Sequence, residues 1–233
     1  MTEHRRDILN AFAALLNYPD SGSATAAGML GESLKHTHPD ALGDLRAFEF
    51  FIATHDGYEL EEYFTRTFEI SPQCALEIGW HLFGEEYARG QFLVRLREEL
   101  RKHGIAESAE LPDHISHVLP ILAAMPADDG KAFAAACVIP ALCKMLQAFE
   151  GHENAYESLL RCLRLVLCRE FDVPEDFTFE EDVPESSQAD PLWAYAVQGV
   201  PACDSQPQLV PLEMKFGETG VAPSGIVAGG EPL

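Results

Sequence analysis

Glu77, His81 and Glu85 stand four residues apart in succession, so on a helix two carboxylates and an imidazole share one face. That donor set suits a divalent metal. Three ligands from one helix seldom surround an ion well, however, and the pattern reads as a solvated ladder whose carboxylates favour protonation of His81. His114 and His117 pose the same question, with Asp113 as the sole nearby third ligand. No metal site is expected. A GxSxG elbow, a phosphate-cradling glycine loop and an HExxH pair are all missing. Six cysteines and nine histidines leave a thiol site arithmetically open, but no spacing recommends one. The chain reads as a protein that binds and does not catalyse.

Binding chemistry concentrates between Leu60 and Pro120. Leu60, Phe64 and Phe68 recur at i, i+4 and i+8 with Tyr63 alongside, and Leu76, Trp80, Phe83 and Tyr87 form a second stripe. Most of these rings belong to a core. Tyr63 is expected at a groove because its hydroxyl needs a polar or wet partner. Trp80 lies close to Gly84 and Gly90, each of which marks a helix break or a close backbone approach. The string Glu110-Leu111-Pro112-Asp113-His114 resembles a helix start, with Pro112 in the first turn and Asp113 at the positive end of the dipole. It would equally make a polar rim for a cationic peptide, with His114 conferring pH sensitivity.

The elements that must position these residues are helical. Periodic segments up to Phe171 show helical spacing, and none alternates as a half-buried strand does. An all-α fold of about eight helices is expected, at 3–17, 23–36, 41–54, 58–69, 74–102, 112–125, 129–149 and 153–170. Pro140 should distort its helix near Cys137, and Asn154 with Glu157 should open the last one.

Residues 172–233 change character, holding 8 of the 15 prolines and 12 acidic residues against the single basic Lys215. Such a stretch buries too little apolar surface to offset its chain entropy, so a helical domain over 1–171 and a mostly disordered acidic tail are expected. Leu192-Trp193-Ala194-Tyr195 is the one segment there suited to fold back as a latch.

The whole chain of 233 residues carries 38 acidic and 16 basic side chains, a formal charge of −22. That field repels nucleic acid and anionic membranes and attracts a cationic partner. The cysteines at 74, 137, 143, 162, 168 and 203 contain no CxxC pair and read as reduced thiols. Arg5-Arg6 ahead of an apolar stretch imitates a twin-arginine export signal, but Ile8, Leu9, Phe12, Leu15 and Leu16 fit one face of a packed helix. No apolar run approaches the roughly 18 residues of a membrane span. A cytoplasmic protein is expected.

The segments Tyr63-Phe64 through Phe68, Cys74-Ala75-Leu76, His81-Leu82-Phe83-Gly84-Glu85, Arg89-Gly90 and Glu110-Leu111-Pro112-Asp113 together resemble the redox-enzyme maturation chaperones, the family of NarJ, TorD and DmsD. The likeness is strongest to the NarJ branch, which assembles respiratory nitrate reductase. It departs at His114, which follows the aspartate as in the TorD and DmsD branches, where the NarJ pattern has an aromatic residue and then Leu-Pro; here Ile115-Ser116 follows.

The resemblance implies a TorD-like helical chaperone, not an enzyme. Its partner would be the N-terminal segment of a molybdenum oxidoreductase catalytic subunit, nitrate reductase or a relative. It would hold that subunit competent for molybdopterin-guanine-dinucleotide insertion while binding no cofactor permanently. By the same resemblance the client peptide would meet Tyr63, Trp80, Phe83, Glu110, Pro112, Asp113 and His114. A general helical peptide-binding adaptor is the second reading, and a thiol- or metal-dependent hydrolase the third.

Overall fold

In the computed structural model, which describes residues 3–71, 74–151 and 153–175, every regular element is a helix. The only β-type contact among the described residues is an isolated bridge between Glu77 and His114. The α-helices are α1 (Glu3–Leu15), α2 (Ser23–Thr37), α3 (Leu42–Thr54), α4 (Gly57–Phe64), α5 (Ile78–Phe83), α6 (Tyr87–His103), α7 (Ile115–Ala124), α8 (Ala127–Phe133), α9 (Ile139–Gln147) and α10 (Ala155–Glu170). A π turn at Thr65–Glu69 extends α4, and a second at Ala134–Val138 joins α8 to α9, so these elements form nine continuous runs among the described residues.

α7 lies at the centre. Ile115, Val118, Leu119, Ile121 and Leu122 are all fully buried, so it is apolar nearly all round, and it packs against α1 and α6. α2 joins α1 to α3, and α10 packs on α3 and α9. Tyr156, Leu159, Leu160, Leu163 and Leu167 of α10 are buried, as their spacing implies. Around Tyr156 the rings of Phe48, Phe64 and Phe68 gather with centroids 5.1, 5.7 and 4.8 Å away.

Two expected boundaries move. The helix anticipated over 74–102 is two helices, because Gly84 takes φ +58° and donates its N–H to the Trp80 carbonyl at 2.8 Å, which stops α5. Tyr87 therefore leaves the Trp80 stripe and is exposed. The helix anticipated from 112 begins only at Ile115, with His114 as its N-cap. Pro112 and Asp113 precede it, because that segment is bonded to the one around Glu77.

Other local expectations match. Pro140 stands two residues after the end of the π turn that holds Cys137, where its missing N–H was expected to disturb the ladder. Asn154 caps α10 by accepting from the Tyr156 N–H at 2.9 Å, whereas Glu157 does not complete a box and instead accepts from Arg161 at 3.0 Å. A reciprocal capping box between Asp56 and Glu59 opens α4, a signature the spacing analysis overlooked.

Arg5 donates to the Glu170 side chain at 2.6 Å and to its carbonyl at 2.8 Å, and its guanidinium lies over the Phe171 ring. α1 is thereby fastened to the end of α10. The described chain runs to Glu175, and Val173 is buried with its N–H bonded to the Cys168 carbonyl. The anticipated tail beyond that point, including Leu192–Tyr195 and Cys203, lies outside the described residues. No helix among the described residues is long and apolar enough to cross a membrane.

Candidate functional site

Two chain segments distant in sequence are stitched together beside α5. The Ile78 N–H donates to the Asp113 carbonyl and the Ile115 N–H to the Leu76 carbonyl, both at 2.9 Å, around the bridge between Glu77 and His114. The stitching places the Asp113 carboxylate in full burial against Gly79, where a Cβ would come within 2.5 Å of Oδ2. Only a residue without a side chain fits there.

Asp113 is held by Arg89 of α6, whose Nε donates to Oδ2 at 3.1 Å. The same guanidinium stands 5.7 Å from the centre of the Trp80 ring. Asp113 Oδ1 has no hydrogen-bond partner among the described residues. Burial pushes the Asp113 carboxyl above its ordinary value, with Arg89 pulling the other way.

Next to this unit opens a cavity of about 640 Å³. Its apolar wall comes from Tyr18 after α1, Phe64 and Phe68 on α4 and its π turn, Leu76, and Trp80. Tyr18 and Phe64 meet edge-on at 5.7 Å. Glu69, Glu77 and Glu110 supply carboxylates, while Arg89, the one basic side chain besides the histidine among the described residues of the lining, already serves Asp113. Among the described residues the groove therefore offers aromatic surface and more carboxylates than basic groups. Glu77 feels this: burial first, then Asp113 nearby, raises its carboxyl above the ordinary range.

The histidines behave differently from expectation. His114 Nδ1 accepts from the Ser116 N–H, and burial holds the imidazole down to about 4, so His114 stays neutral near pH 7 and does not provide the anticipated pH sensitivity there. His81 is likewise pushed down by burial, the opposite of the ladder reading, and its Nε2 pairs with the Ala75 carbonyl at 2.6 Å. The ladder itself dissolves because Gly84 ends the helix before Glu85. His117 accepts from the Ser108 N–H through Nε2, which leaves Nδ1 to donate to the Leu111 carbonyl at 2.9 Å and clasps the loop. No group of three metal-ligating side chains occurs among the described residues.

Of the residues assigned to a client peptide, Trp80, Glu110 and His114 line the cavity together. Pro112 and Asp113 are buried in the wall behind it, and Phe83 is buried against Phe92 at 5.3 Å. Tyr63 is not in the lining; its ring packs on Phe51, and its hydroxyl accepts from the Ala155 N–H at 3.1 Å. Sequence reasoning missed Tyr18, Glu69 and Arg89, and considered Glu77 only as a metal ligand. The signal for Tyr18 was present in Asn17-Tyr18-Pro19-Asp20, an aromatic at a helix stop.

Residues 36–158 match the family model described as nitrate reductase delta subunit. The chain is 28% identical over 116 residues to the nitrate reductase molybdenum cofactor assembly chaperone NarJ of Escherichia coli strain K12, covering 48% of this chain and 49% of that protein. The same protein of Escherichia coli O157:H7 matches to the same extent. The match thus spans about half the length of these curated relatives. A solved structure described as a candidate redox enzyme maturation protein from Archaeoglobus fulgidus aligns with a TM-score of 0.48 and 21% identity over 72% of this chain and 96% of that one.

Proposed function

Because the chain belongs to the nitrate reductase delta subunit family, we propose that it is a maturation chaperone for a molybdenum oxidoreductase, nitrate reductase or a relative. In this reading it acts in the cytoplasm by stoichiometric binding and catalyses nothing. Its client is the N-terminal segment of the catalytic subunit, which it holds competent for molybdenum cofactor insertion and assembly; the cofactor goes to the client, and the chaperone keeps none. The name of the curated relatives supports the cofactor step.

The observation that carries the site is the charge balance of the groove. Glu69, Glu77 and Glu110 face a cavity where the one arginine among the described residues is bonded to Asp113, beside the rings of Tyr18, Phe64, Phe68 and Trp80. An amphipathic helix with basic residues next to its apolar stripe complements both features. The overall charge of −22 would speed its arrival at low salt.

Titration calorimetry of the full chain with the N-terminal peptide of a nitrate reductase catalytic subunit from the same organism tests the proposal. Binding in the micromolar range or tighter is expected, and weakens as salt rises. Silence at tens of micromolar protein sinks it. Equal affinity for an unrelated basic amphipathic peptide would instead favour a general adaptor.

A further inference from the structure

The groove owes one of its carboxylates to a π turn. On a regular α-helix, residue 69 would lie about 140° around the axis from residue 64, facing away from it. In the turn at Thr65–Glu69 the ladder runs five residues back, the Ile70 N–H reaching the Thr65 carbonyl at 3.1 Å, and this register brings i and i+5 to one side. Glu69 consequently lines the cavity beside Phe64 and Phe68, which share a face at i, i+4 in either register.

A bracket of side chains braces this turn from behind. Thr67, buried on the far side, donates its hydroxyl to the Tyr63 carbonyl at 2.8 Å and accepts from Asn154 Nδ2 at 3.1 Å. Asn154 uses its oxygen to cap the Tyr156 N–H, and the Tyr63 hydroxyl accepts from the Ala155 N–H. The start of α10 and the π turn thus share one hydrogen-bond network, in which each member fixes the next. None of Tyr63, Thr67 and Asn154 lines the cavity.

We infer that Thr67, together with Asn154 and Tyr63, positions the groove: the bracket holds the π register that turns Glu69 toward the bound peptide beside Phe64 and Phe68. The inference rests on the groove being the peptide site. It assigns Tyr63 a role behind the wall and adds Glu69 to the groups that read client charge.

The test uses T67V and N154D in the full chain. T67V removes the hydroxyl at nearly constant shape. N154D keeps the cap of α10, since Asp caps as well as Asn, but replaces the donor to Thr67 by an acceptor. Crystal structures of both should show the segment relaxed to α register with Glu69 turned out of the cavity. Affinity for the catalytic subunit's N-terminal peptide should fall about tenfold with a shallower salt dependence, and T67S should restore both. A purely structural role would lower the melting temperature and leave the salt slope alone.

A T67V structure that retains the π turn overturns the inference, as does a changed register with unaltered affinity and salt slope. If T67V does not fold, N154D is judged by the same outcomes. Failure of the wild-type chain to bind the peptide would sink the functional reading, and the variant structures would still decide whether the bracket sets the register.

Discussion

Gly79 faces Asp113 so closely that a Cβ at position 79 would stand 2.5 Å from Oδ2 of the buried carboxylate. The neighbouring atoms of Phe92 and Arg89 would be at 3.1 and 3.4 Å, so the new methyl group has nowhere to go. G79A is expected to lower the unfolding free energy by about 1–3 kcal/mol, read from the urea midpoint. A midpoint equal to wild type would show that the 113 loop yields easily.

Removing the partner of Asp113 should cost more. R89M removes the ion-pair partner of a fully buried carboxylate whose Oδ1 has no partner among the described residues, and a loss on the order of 3 kcal/mol is expected. D113N in the same chain should recover much of it, since the neutral amide needs no counter-ion. Additivity of the two substitutions in a double-mutant cycle would contradict the coupling.

His114 sets a pH dependence whose sign follows from its burial. Its folded value of about 4 lies below the ordinary 6.5, so between those two pH values the unfolded chain binds the proton and the folded chain does not. Its contribution is therefore present above pH 6.5 and is lost as pH falls toward 4, on the order of 3 kcal/mol at the acid end. Glu77 and Asp113, both raised, act in the opposite sense as pH falls. H114N keeps a capping side chain and removes the titration, so urea midpoints measured against pH should lose slope relative to wild type. An unchanged slope would mean that other groups govern it.

Trp80 and Tyr63 act at different places, the first in the lining of the groove and the second in the bracket behind it. Trp80 lines the groove, and W80A is expected to weaken client-peptide binding by about 2 kcal/mol in calorimetry. Y63F removes only the acceptor of the Ala155 N–H, so about 1 kcal/mol of stability is expected to go. A loss of binding for W80A no larger than a few tenths of a kcal/mol would return that ring to a structural role.

The two arginines near the start also differ in consequence. Arg5 bonds Glu170 twice and covers Phe171, whereas Arg6 is exposed on α1. R5Q should lower the melting temperature by several degrees, corresponding to about 1–2 kcal/mol, and R6Q should leave it within error. Equal effects would remove Arg5 as the tie between α1 and α10.

The helical class was legible because burial of a helix face imposes a period that local sequence must carry. Ile8, Leu9 and Phe12 on α1 and the leucines of α10 show it plainly. Cap chemistry is equally local: Asn154 and Pro140 did what their side chains dictate. Gly84 was recognisable as either a break or a close approach, and its positive φ decides for the break.

The groove was only half legible, because pairing between segments has no local signature. Trp80, Glu110 and His114 could be named from their types, yet their meeting depends on backbone bonds between Leu76–Ile78 and Asp113–Ile115, far apart in the chain. Burial then reverses chemistry that residue type suggests: it neutralises His114 and commits Arg89 to Asp113. Glu69 faces the groove from a π turn whose Thr67 is bonded to Asn154, and the Tyr63 hydroxyl meets the start of α10. The sequence by itself determined a helical protein with strong negative charge and an aromatic, acidic middle. Tertiary packing alone decided which of those aromatic and acidic groups share a cavity, since contacts across dozens of residues are set by how whole helices dock.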